Sequence, residues 1–95
     1  MEEQVKKGKI RSIGISNASV PVLLDLLAGC EIAPAVNQIE VHPYFQQNAL
    51  IEVHRKFNVF VQCYAAICRG SNDVIGKAIK KDLNILTEPV ITEIA

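Results

Sequence analysis

Neither sign of charge is in excess in this sequence: ten basic side chains balance ten acidic ones over 95 residues. Without a basic surplus there is no overall field to draw in nucleic acid or an anionic membrane, and neither is expected as a partner. Long apolar runs are also missing, and none approaches the ~20 residues that cross a bilayer. The first residues, Met1-Glu2-Glu3-Gln4, are acidic where a secretory signal is basic and then apolar, so the expected compartment is the cytosol. Cysteine is scarce, and Cys30, Cys63 and Cys68 lack C-x-x-C spacing, which points to neutral or buried thiols instead of a metal or redox site. The two histidines, His42 and His54, fall on different elements with no cysteine or carboxylate at metal spacing, so no metal site is expected. No G-x-G-x-x-G is present, which excludes the usual dinucleotide fingerprint of a doubly wound sheet. Asn17-Ala18-Ser19 fits the glycosylation acceptor pattern, but without a secretory signal it is not expected to be modified. Internal repeats and low-complexity linkers are absent too, leaving residues 1–95 as one incomplete domain.

What is present is a soluble globular composition, 49% hydrophobic and 21% charged, in a chain far shorter than the ~250 residues of a closed βα-barrel. Residues 1–7 read as the last turns of a helix, with Glu2 and Glu3 four places ahead of Lys6 and Lys7 and Gly8 as the stop. A chain that starts inside a helix is expected to belong to something longer. From Lys9 to Ile15 the pattern becomes β-like, with small residues, Ser12, Gly14 and Ser16, on the face opposite Ile13 and Ile15. Ser19 as N-cap and Pro21 in the first turn open a helix whose stripe is Val20, Leu23, Leu24 and Leu27, and Gly29 ends it. A second strand runs from Ala35 to Val41, and a helix marked by Leu50, Val53 and Phe57 stops at Asn58. His54, beside Arg55 and Lys56, is expected to be half-exposed. A third strand follows, with Val59, Val61 and Cys63 alternating against Phe60, Gln62 and Tyr64. Residues 74–86 read either as a short helix interrupted by Gly76 or as an ordered loop. Glu88-Pro89 opens a further helix.

Each of the three strands is an apolar run that ends on polar or aromatic side chains, at Ser16-Asn17, Gln38 and Tyr64, about one βα-unit apart. A parallel sheet brings such ends side by side along one rim, where chemistry sits in βα-repeats. Asn37, Gln38 and Glu40 puncture an otherwise apolar strand, and buried polar groups without partners cost about 1 to 3 kcal/mol each, so they need a partner or a ligand. Hydroxyl and amide groups at Ser16, Asn17 and Gln38 suit a planar carboxamide, and Tyr64 offers a face for a ring to stack on. These are the needs of a nicotinamide; ordinary capping of strand ends is the alternative. Glu40 and His42 share a strand face but lack a nucleophile or second carboxylate, so a structural role is expected for both, with His42 a satisfied turn residue. The stretch from Gly70 to Lys77-Ala78 superficially resembles a phosphate loop, yet its glycine spacing is one residue too long and Ala78 stands where a hydroxyl must bind magnesium.

At these residues the sequence resembles the aldo-keto reductase family. Val5-Lys6-Lys7-Gly8-Lys9-Ile10-Arg11-Ser12-Ile13-Gly14-Ile15-Ser16-Asn17 is similar to its approach to the fifth barrel strand, and Pro34-Ala35-Val36-Asn37-Gln38-Ile39-Glu40-Val41-His42-Pro43-Tyr44 to its sixth. The likeness continues to Tyr64 and returns at Glu88-Pro89-Val90-Ile91-Thr92-Glu93-Ile94-Ala95. It implies an α/β fold, a partial (β/α)8 TIM barrel of about three βα units, and reduction of small-molecule carbonyls with NADP(H). It also implies cofactor-binding roles for Ser16, Asn17 and Gln38 on the carboxamide and for Tyr64 on the ring. By the same resemblance the catalytic Tyr, Lys, Asp and His have no counterpart in these residues, so no catalytic residue is expected here. Ala18 stands where an aromatic is usual after Ser-Asn, and Ala65-Ala66-Ile67-Cys68 where Ser-Pro-Leu-Gly lines the pyrophosphate path. Two alternatives follow: an inactive truncated product associating at most through open sheet edges, and a phosphate-binding module using Lys77.

Overall fold

The computed structural model describes residues 1–68 and 84–95. Three strands, β1 (Gly14–Ser16), β2 (Val36–Glu40) and β3 (Phe60–Tyr64), form one parallel sheet in the order β1-β2-β3. Helix α1 (Glu2–Lys6) precedes β1, α2 (Val20–Gly29) joins β1 to β2, and α3 (Asn48–Lys56) joins β2 to β3. A 3-10 turn at Ile85–Thr87, capped by the Asn84 side chain, leads into α4 (Pro89–Ile94). Strand–helix–strand alternation with parallel neighbours is the architecture the residue pattern implies. The phosphate-loop-like stretch, Lys77 and most of the expected helix or loop over 74–86 lie outside the described residues.

Register divides the sheet into two faces. Gly14 pairs with Val36 and Val36 with Phe60; Ser16 pairs with Gln38 and Gln38 with Gln62; Glu40 pairs with Tyr64. Since side chains alternate along a strand, all of these share one face, and Ile15, Asn37, Ile39 and Val61 take the other. The second face meets the helices, because Asn37 reaches His54 of α3 at 2.8 Å. Leu23, Ile39 and Val59 form the apolar centre beneath it, with Ala18 in the turn before α2. Nothing among the described residues covers the first face at Phe60, which is 72% exposed.

Several elements are shorter or differently packed than the pattern alone suggests. β1 begins at Gly14 instead of Lys9, because the amide of Lys9 folds back onto the Gln4 carbonyl and the chain reaches β2 only when Ala35 donates to Ile13. Ser19 occupies the N-cap of α2, with Pro21 in its first turn, yet its hydroxyl caps nothing. Leu23 is fully buried as expected, whereas Leu24 is 40% exposed; the helix turns Leu26 inward with Val20 and Leu27. Gly8 at φ 69° and Asn58 at φ 56° supply the expected left-handed stops. Of the thiols, Cys68 is buried and Cys30 half-buried, but Cys63 is exposed at the end of β3.

Helix α1, one turn long, is held by contacts beyond itself, since so short a helix is not stable alone. Glu3 and Lys7 form the expected pair at 2.7 Å. Glu2 instead accepts the backbone amides of Glu31 and Ile32, both at 2.8 Å, and Lys6 pairs with Glu31. The loop between α2 and β2 is thus tied to α1 by two side chains.

Candidate functional site at the strand ends

Ser16, Asn17, Gln38 and Tyr64 meet at the carboxyl end of the sheet. The Ser16 hydroxyl donates to the Gln38 carbonyl at 3.0 Å, and the Asn17 backbone amide donates to the same oxygen at 2.8 Å. Asn17 Nδ2 donates to Ser16 Oγ at 3.1 Å, and the Tyr64 hydroxyl donates to Asn17 Oδ1 at 2.9 Å. One continuous chain of hydrogen bonds therefore crosses all three strands. It depends on Asn17 turning left-handed at φ 54°, a conformation that asparagine tolerates better than any other residue with a branched or bulky side chain.

Donors and acceptors remain for a ligand. The Gln38 carboxamide makes no hydrogen bond among the described residues, and Asn17 Nδ2 has a second hydrogen to give. The Tyr64 ring, half-buried, is anchored through its hydroxyl. Beyond Asn17 and Tyr64 a groove of about 640 Å³ opens between the starts of α2 and α3, with Ile39, Glu40 and Phe45 in its lining. Ser16 and Gln38 lie outside that groove, so the rim is its edge and not its floor.

Glu40 and His42 do meet, with His42 Nε2 3.2 Å from Glu40 Oε1. His42 is buried, and its backbone exchanges hydrogen bonds with Phe45 in both directions, as a turn residue should. The expectation that it is fully satisfied fails at Nδ1, which has no partner among the described residues. At His54 the correction is larger. Expected to be half-exposed, it is completely buried, with Nδ1 2.7 Å from the Leu50 carbonyl and Nε2 2.8 Å from Asn37 Nδ2. The signal was in the helix spacing: Leu50, Val53 and His54 fall at i, i+3 and i+4, so His54 belongs to the inward stripe despite its charged neighbours. Phe57, which the pattern also puts there, is 47% exposed at the end of α3. Asn37, which needed a partner, finds it there and in the backbone of Ala18.

A model of the aldo/keto reductase family matches residues 1–82. The chain belongs to the aldo/keto reductase family. It is 43% identical over 88 residues to the NADPH-dependent D-xylose reductase of Meyerozyma guilliermondii, an alignment covering 93% of this chain and 28% of that protein. Among solved structures, the aldose reductase from Giardia lamblia superposes on the whole chain with a TM-score of 0.80 at 33% identity, over 29% of its own length. A point mutant of Gox0644 in complex with NADPH superposes on 83% of the chain with a TM-score of 0.70 at 38% identity, over 30% of its length. The chain thus spans less than a third of the length of these aldo/keto reductases, and its three parallel strands and flanking helices match part of their (β/α)8 barrel.

Proposed function

We propose that these residues form the nicotinamide-holding rim of an NADP(H)-dependent aldo/keto reductase that acts on small-molecule carbonyls in the cytosol. The observation that supports this reading best is the hydrogen-bond chain from Gln38 through Ser16 and Asn17 to Tyr64. It leaves one carboxamide without a partner among the described residues and one amide hydrogen pointing from a fixed scaffold. A nicotinamide carboxamide, which both donates and accepts, complements that set, and the NADPH-bound relative makes the cofactor the natural candidate. When bound, that cofactor supplies the hydride. Ser16, Asn17 and Gln38 would hold its carboxamide in plane, and Tyr64 would limit the tilt of its ring.

Orientation alone contributes little without an acid to protonate the carbonyl oxygen, and no described residue on the rim is placed as one. Residues 1–95 by themselves are therefore proposed to bind without turning over. Two-dimensional NMR of the chain titrated with NADPH tests the binding half. Shifts confined to Ser16, Asn17, Gln38 and Tyr64 are expected, with affinity about tenfold weaker in Asn17→Gly, which removes the carboxamide and keeps the left-handed turn unstrained. Absence of any shift at roughly millimolar NADPH would overturn the assignment.

The sheet order favours a second reading, association without catalysis. β1 and β3 each pair on one side only within the described residues, and unpaired edges are templates for further strands. Size-exclusion chromatography separates the two: a monomer that binds NADPH supports the rim, and an oligomer indifferent to NADPH supports association.

A further inference from the structure

Asn37 lies next to Gln38 in sequence but on the opposite face of β2, and its side-chain bonds go to the turn between β1 and α2 and to α3. Its Nδ2 donates to the Ala18 carbonyl at 2.9 Å and meets His54 Nε2 at 2.8 Å, while its Oδ1 accepts the Ala18 amide at 3.3 Å. Chemistry fixes the direction of each bond. The Leu50 carbonyl beside His54 Nδ1 can only accept, so Nδ1 carries the ring proton and Nε2 presents a lone pair. That lone pair must receive a hydrogen from Asn37 Nδ2, which in turn settles which end of the Asn37 carboxamide faces the Ala18 amide. Every polar atom of the buried pair is then satisfied, and one carboxamide grips both backbone groups of Ala18.

Ala18 directly follows Asn17. We infer that Asn37 and His54 are positioning residues for the strand-end rim: α3 sets the backbone of Ala18 through one imidazole and one carboxamide, and so sets the aim of Ser16 and Asn17. What the rim holds rests on the function proposed above; how it is held does not. A buried polar pair can often be exchanged for apolar groups of similar shape at little cost in stability, whereas the direction it imposes is lost. This separates positioning from mere packing.

Three measurements on the full 95-residue chain decide the matter. Nitrogen NMR should show His54 as the neutral Nδ1–H tautomer at pH 7; an Nε2–H tautomer overturns the inference. In the double variant Asn37→Leu/His54→Leu, hydrogen exchange of the Ala18 amide should quicken about tenfold, the loss of one hydrogen bond, relative to the amides of β3. Exchange that rises equally throughout, or not at all, overturns it. His54→Gln, which can keep an acceptor facing Asn37, should leave Ala18 exchange within about twofold of the unmodified chain; if the double variant does not fold, failure of this rescue is itself decisive against positioning. NADPH affinity read by the same spectra should fall about tenfold in the double variant and recover in His54→Gln. If the unmodified chain binds no NADPH, the functional proposal falls, while tautomer and exchange still judge the positioning.

Discussion

Among the described glycines, Gly14 is where a single added carbon meets the least room. A Cβ there would lie 2.5 Å from Val36 Cγ1 and 3.2 Å from the Val36 carbonyl, distances that force β1 and β2 apart. Gly14→Ala should therefore destabilise the chain by about 1–3 kcal/mol in urea unfolding, as overpacking generally does, and Val36→Ala in the same background should recover part of the loss. Independent, additive effects of the two changes would show that the crowding is relieved some other way. Ala65, just past β3, presents the opposite case: its φ of 50° strains any residue with a Cβ by about 1–2 kcal/mol. Ala65→Gly should raise the unfolding midpoint despite the extra freedom it gives the unfolded chain, and a lower midpoint would contradict that strain. Ser16, Asn17 and Tyr64 could be read from the sequence because polar groups at the ends of apolar strands have few other places to go. Gly14 announced a close approach but not its neighbour, since that requires the register. His54 was misjudged because Arg55 and Lys56 beside it suggested solvent, and only the inward stripe of α3 outweighs them.

At the scale of elements, the strands and the two long helices followed from alternation, stripes and left-handed stops, while the attachment of α1 did not. The helix pairing of Glu3 with Lys7 is local and readable; the capture of two loop amides by Glu2 needs a contact nearly thirty residues away. The Ile32 amide, helped by those of Glu31 and by the charges of Lys6 and the N-terminus, holds the Glu2 carboxyl below its ordinary value. A carboxyl lowered in the folded state stabilises it above the ordinary carboxylate range and ceases to do so as pH falls through the lowered value. Amide protection at Ile32 is accordingly expected to be flat near neutral pH and to fall away in acid, and Glu2→Gln should remove that acid step. An unchanged step in the variant would assign it to another carboxyl.

For the molecule as a whole, the open face and edges matter most. Phe60 stands uncovered on the face that carries the rim, at a strand edge. Phe60→Lys should reduce any concentration-dependent association seen in sedimentation without altering NADPH-induced shifts at Asn17, because a charged edge resists added strands. Loss of both together would mean that the rim forms only in an assembly. The same scale governs catalysis: mixing the chain with NADPH and a simple aldehyde should give no carbonyl-dependent oxidation, and robust turnover would reveal a proton donor that the described rim does not provide.

The strand order β1-β2-β3 also bears on how the sheet is reached in time. Gly14 to Val36 and Val36 to Phe60 are each about two dozen residues apart, so closing either loop costs nearly the same chain entropy. Neither pairing has a head start, and β2 belongs to both. Folding can thus begin from either side of one central strand, and changes at Asn37 or Ile39 should slow it, whereas changes at the outer strands should mainly quicken unfolding.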